Sequence, residues 1–156
     1  MELKRLIVEF NAQTGIEKTA SADGVWRYSA DGCVFGVTAD EQGERLYLFG
    51  DIPPPGEDRE DAFRKTVLEA NYFFRGTGGA TLALNPDTGA YALVQSAPLA
   101  DMTPEGFFSL VESFVNALAV WCSISAGTRE APPAPSENAA PQSTSPAPGH
   151  FEFLQV

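Results

Sequence analysis

Histidine is nearly absent: the sequence has one, His150, set among prolines, alanines and serines near its C-terminus. A Ser-His-Asp or Cys-His centre needs an imidazole held by a rigid scaffold, and this position offers none. Cysteine is almost as scarce. Cys33 and Cys122 lie far apart in sequence in apolar surroundings, Gly-Cys33-Val-Phe and Val-Trp-Cys122-Ser, which predicts reduced core thiols rather than a disulfide framework. Two cysteines without a scaffolded histidine also lack the paired, closely spaced ligands of a zinc site, and no regular acidic ladder suggests a calcium loop. Positive charge is the third shortage, 10 basic residues against 21 acidic ones for a net charge of −11. Only Arg129, Glu130, Glu137 and Glu152 fall beyond residue 127, so about −9 of that charge belongs to the first 127 residues. A field of that sign repels nucleic acid and anionic lipid and favours basic or neutral partners. No stretch approaches the ~20 apolar residues of a membrane span. The opening Met1-Glu-Leu-Lys-Arg-Leu-Ile7 turns polar too soon for a signal peptide. These absences predict a cytoplasmic protein without membrane insertion, nucleic acid, cofactor or metal.

What is present is apolar. Hydrophobic residues make up 44% of the 156, including 11 Phe, 4 Tyr and 2 Trp, enough for the core of one domain. Leu3, Leu6, Ile7 and Phe10 fall at i, i+3, i+4, i+7, with Gly15 as a stop, and predict a helix over 2–14. From Val25 the period shortens to that of strands, and turns at Ala30-Asp31-Gly32 and Glu41-Gln-Gly-Glu44 divide a three-stranded antiparallel meander. Pro53-Pro54-Pro55 ends it, because three prolines remove three ladder donors. A second helix is predicted over 59–74, with Asp58 as N-cap. Phe63, Val67, Ala70 and Phe74 form its stripe, and Leu68 and Phe73 widen it beyond one face, so this helix should pack on two things. Residues 80–85 and 90–95 alternate as a hairpin about Pro86-Asp-Thr-Gly89. Thr103-Pro104-Glu105 opens a last helix to about Ala126, with Phe107, Val111, Phe114, Leu118 and Trp121 on a broad apolar arc.

The sum is an α+β domain over 1–127: a five-stranded twisted antiparallel sheet with three helices in the order α-β-β-β-α-β-β-α. Residues 128–156 change composition abruptly, hold six of the 12 prolines, and are predicted to be a disordered tail ending in a short apolar segment, Phe151–Val156.

The polar clusters do not ask for chemistry. Gly76-Thr-Gly-Gly79 follows a helix instead of opening one, so it supplies turn geometry rather than a phosphate cradle. Asp58, Glu60 and Asp61 sit where carboxylates complement a helix N-terminus. The unexplained surplus is hydrophobic, which points to partners.

Val67-Leu-Glu-Ala-Asn71, Gly76-Thr-Gly-Gly-Ala-Thr-Leu-Ala-Leu-Asn-Pro-Asp-Thr-Gly89 and Phe114-Val-Asn-Ala-Leu-Ala-Val-Trp121 resemble the class I type III secretion chaperones, the CesT-like and SycE-like family of small acidic bacterial proteins. The motifs cover about 58–122 and are structural rather than catalytic. The resemblance implies a virulence-associated, non-enzymatic chaperone that keeps an extended N-terminal segment of an effector unfolded and competent for secretion. It implies a homodimer joined through Phe63, Val67, Ala70, Phe74, Leu82 and Leu84, and client-binding patches at Leu3, Leu6, Ile7, Phe10, Trp26, Tyr28 and Phe35. Main-chain pairing at a sheet edge would supply affinity. The secretion ATPase or export apparatus is a further partner it allows. Pro53-Pro54-Pro55 and the tail depart from the family pattern, and Phe151–Val156 is itself a strand-prone occupant for the client groove. The competing reading is a regulatory adaptor on the same fold that binds a folded partner of the secretion system; a small carboxylate enzyme is the remote third.

Overall fold

The computed structural model describes residues 2–15, 23–131 and the backbone of 153–154. Helix α1, Glu2–Thr14, is followed by strands β1, Trp26–Ala30, β2, Cys33–Ala39, and β3, Arg45–Ile52. Helix α2 spans Glu60–Asn71 between single 3-10 turns at Glu57–Arg59 and Tyr72–Phe74; β4, Thr81–Leu84, β5, Tyr91–Pro98, and α3, Pro104–Ser125, complete the domain. The five strands are antiparallel in the order β4-β5-β3-β2-β1, and a two-residue strand β6, Phe153–Leu154, lies beyond β1. This is the expected α+β architecture and element order. The rest of the predicted tail from residue 132 lies outside the described residues.

Local chemistry explains the joints. Asp31 and Gly32 both take positive φ, 49° and 76°, as a two-residue type I′ turn requires, and the turn fixes the register Ala30↔Cys33 through Trp26↔Val37. That register sends Tyr28, Ala30, Phe35 and Val37 to the helical side. The hydroxyl of Thr103 accepts from the Gly106 amide at 3.1 Å, capping α3 as its Thr-Pro-Glu start predicts. Asp58, in contrast, makes no cap: it lies within the 3-10 turn ahead of α2, and no side chain caps either helical segment there. Arg59 has the structural role instead. Its guanidinium donates to the carbonyl oxygens of Ser125 and Ile124 at 2.9 and 2.8 Å, placing a cation on the negative end of α3. Ser125 Oγ donates to the Pro53 carbonyl, so the proline segment is anchored to the same helix end.

Helix α3 is long and apolar enough, by length and composition alone, to cross a bilayer, contrary to the expectation that no stretch approaches such a span. Its apolar arc lies against the sheet: Phe107, Val111, Phe114, Val115, Leu118 and Trp121 are fully buried, each worth about 1.5–3 kcal/mol for a side chain of that size. Helix α1 closes one end of this layer. Phe10 meets Tyr28 and Phe107 edge-to-face at 5.5 and 5.7 Å, and the Tyr28 hydroxyl donates to Asn11 Oδ1 at 2.9 Å. Burial pushes the Tyr28 phenol well above its ordinary pKa, so it remains a neutral donor.

Candidate partner-binding surfaces

Two places on the domain are left unfinished by its own folding. The first surrounds α2. Phe63 and Val67 point into the core, where Phe63 packs edge-to-face on Tyr91 at 4.9 Å and near Trp121 at 6.2 Å. The opposite side of the helix and the turn after it carry Leu68, Tyr72, Phe73 and Phe74, with Leu84 on β4; Leu68 is 67% and Phe73 73% exposed. Phe73 and Phe74 both take positive φ, 53° and 54°, a conformation that costs an L-residue roughly 1–2 kcal/mol. Strained, exposed aromatics are expected where structure is shaped for a partner. Behind them the turn is tied to α2 and α3. Trp121 Nε1 donates to the Gly76 carbonyl at 3.0 Å, and a Cβ on Gly76 would lie 2.7 Å from that of Ala70.

Of the residues implied for the dimer interface, Phe74 and Leu84 are exposed, Ala70 is half-buried, and Phe63, Val67 and Leu82 belong to the monomer core. The stripe's main axis faces inward because Trp121 and Tyr91 lie beneath it. Leu68 and Phe73, which widened the stripe, turn outward, and Tyr72 left no periodic signal.

The second unfinished place is the β1 edge. The two edges of the five-stranded sheet differ. At β4 the Asn71 side chain bonds both the amide and the carbonyl of Leu82, covering that part of the edge. At β1 the edge takes an added strand, and β6 pairs there antiparallel. The side chains assigned to client capture do not lie on this surface: Leu3, Leu6, Ile7, Phe10, Tyr28 and Phe35 are buried beneath α3 and the sheet, and only Trp26 is partly exposed. Their helical and strand periodicity marks a core face, and the core consumes it. The apolar side chains exposed nearby are Val8 on α1 and Val34 on β2.

Beside the β1–β2 turn a cleft of about 730 Å³ is lined by Arg27, Val34, Phe49 and both cysteines. Cys33 and Cys122, expected as reduced core thiols, meet here with their sulfurs 3.4 Å apart, and both are free. Hydrogen bonding from Cys122 outweighs burial and the nearby Asp31 carboxylate and lowers Cys33 to about 7. The same shared proton, with burial, drives Cys122 upward. Among the described residues no group of three His, Cys, Asp or Glu could hold a metal ion.

The fold has solved relatives. The chain is similar to the HopA1-SchA chaperone-effector complex (TM-score 0.63, 18% identity, 78% of this chain and 94% of that one). It is also similar to the ExsC-ExsE complex (0.66, 19%, 80% and 94%) and the ExoT-SpcS complex from Pseudomonas aeruginosa (0.57, 14%, 74% and 93%). At these identities the likeness carries the fold alone. Comparison with curated protein sequences gives no match. The family model of the Tir chaperone proteins matches residues 5–121, which takes in all three helices' main bodies and the whole five-stranded sheet. The chain belongs to the Tir chaperone protein (CesT) family.

Proposed function

We propose that this protein is a cytoplasmic, homodimeric type III secretion chaperone that keeps an extended N-terminal segment of an effector unfolded for export. Membership of a chaperone family sets the class, and the relatives seen with partners, such as SchA with HopA1, agree with it. The observation that carries the mode of binding is the β1 edge, where an added strand, β6, pairs antiparallel. Strand addition there supplies main-chain hydrogen bonds with little sequence demand, which suits a segment that must stay unfolded. Trp26 and Val34, rather than the buried set on α1, are the side chains placed to choose among clients.

The second half of the proposal is the dimer. Leu68, Tyr72, Phe73, Phe74 and Leu84 make an apolar group that a second copy would cover on both protomers at once, as an isologous two-fold contact does. Such a dimer would carry two β1 edges.

Purification of the chain with its secreted partner, followed by limited proteolysis, tests the reading. The expected result is a dimer of the chain protecting one long, otherwise degradable segment of the partner. A partner fragment that remains folded and stable after release would sink this reading in favour of the regulatory adaptor.

A further inference from the structure

The C-terminal residues Phe153–Leu154 form the outermost strand of the sheet, antiparallel to β1, with Ala30 opposite Phe153 and Ser29 opposite Leu154. We propose that this end of the chain is a built-in occupant of the client edge, a placeholder that a client strand must displace. The inference rests on the client reading of β1 given above.

Three observations support it. The first is sequence placement. Between 132 and 150 the prolines at 132, 133, 135, 141, 146 and 148 recur too often for a strand, and alanine is the only other apolar residue. Residues 149–156 are the longest stretch of the tail with an unbroken run of amide donors, and they contain all of its large apolar residues: Phe151, Phe153, Leu154 and Val156. The strand-competent piece of the tail is also the piece found on the edge.

The second is the asymmetry of the two edges. An open strand edge invites pairing with other chains, and proteins cover it. On the β4 edge Leu82 is covered by a side chain of α2, a cover that is permanent as long as the domain is folded. The β1 edge is covered by a strand of only two residues, held to the domain by the intervening chain. A permanent cover stands where no client is expected and a removable one where a client is.

The third is energetic. A covalent tether of about twenty residues confers an effective concentration near millimolar, so even a weak strand occupies its seat in the absence of competitors. Two paired residues present few main-chain bonds, and a client strand running the full five residues of β1 replaces them with more. The placeholder therefore protects the edge without blocking a true client.

The test uses the full chain and a full-length variant carrying Phe153→Pro and Leu154→Pro, which removes two amide donors from β6. Hydrogen exchange is followed for the amides of residues 26–30, with β2 and β3 as internal controls. The wild-type edge should be protected independently of protein concentration, and the variant should exchange there roughly tenfold faster with the controls unchanged. A labelled peptide of residues 147–156 should bind the variant at least about tenfold more tightly than the wild-type chain, whose site is already filled. Equal exchange at 26–30 in both chains, or equal peptide affinity, overturns the placeholder. Failure of the client reading appears elsewhere, as a proline variant that purifies without any secreted protein while its exchange and peptide results stay as expected.

Discussion

Asn71 and Leu82 are joined by two hydrogen bonds that imitate a neighbouring strand: Asn71 Nδ2 donates to the Leu82 carbonyl at 2.8 Å, and the Leu82 amide donates to Asn71 Oδ1 at 2.9 Å. One side chain at the end of α2 thus satisfies both main-chain groups of an edge residue and holds the helix to β4. No other residue type presents a neutral donor and acceptor side by side at this reach except glutamine, whose extra methylene would displace the pair.

Asn71→Ala should therefore cost about 2–3 kcal/mol, since it removes two bonds and strands the Leu82 amide and carbonyl. Asn71→Asp should be no better, because its second oxygen would face the Leu82 carbonyl. Urea denaturation of both variants, read as a shift in midpoint at constant slope, checks this; a loss under ~0.5 kcal/mol for Asn71→Ala would show that water replaces the side chain fully.

Leu68→Asp and Phe73→Asp should convert the proposed dimer to a folded monomer, because both side chains are exposed on the protomer. Phe63→Asp should instead unfold the chain, since its ring lies between Tyr91 and Trp121. Light scattering with circular dichroism separates the outcomes. Phe73→Gly sharpens the test: it should weaken the dimer while stabilising the monomer by roughly 1 kcal/mol, through relief of positive φ.

Hydrogen peroxide should join Cys33 to Cys122. The Cys33 thiolate attacks the peroxide, forming a sulfenic acid and hydroxide; the Cys122 thiol then displaces water to leave the disulfide. Peptide mapping should find the two cysteines in one cross-linked pair, lighter by two hydrogens. With alkylating reagents the Cys33 rate should rise through a midpoint near 7, the value to which Cys122 lowers it. Cys122→Ala removes that hydrogen-bond donor, so the midpoint should move up and the rate at neutral pH fall. An unmoved midpoint in the variant would contradict the shared proton.

Gly76→Ala should destabilise by about 1–3 kcal/mol, the cost of overpacking against the Ala70 Cβ 2.7 Å away. Combining it with Ala70→Gly should cost less than the sum of the two single losses, because the double variant removes the clash and keeps only the cost of a helix glycine. Thermal melts of the four chains give the coupling energy.

Element order and most element ends were legible because their causes are local. Apolar spacing set α1 and α3, Asp31-Gly32 set the first hairpin, and Thr103-Pro104 set the start of α3. Asp58 failed as a cap because the chain enters α2 through a 3-10 turn held by Arg59 on the far end of α3, 65 and 66 residues away. The candidate site was less legible than the fold. Periodicity says that Leu3, Leu6, Ile7 and Phe10 share a face, but not whether that face meets its own sheet or a client, and here it meets the sheet.

By itself, then, the sequence determined the secondary elements, the turns, the acidic charge and the place where the tail becomes able to form a strand, all properties of neighbours along the chain. Tertiary structure alone decided which half of the α2 stripe stays outside, that Cys33 meets Cys122, and that β1 rather than β4 receives the C-terminal strand. Those outcomes depend on how α3 and Trp121 fill the space beneath the sheet, and such a packing is settled only when residues distant in sequence compete for the same volume.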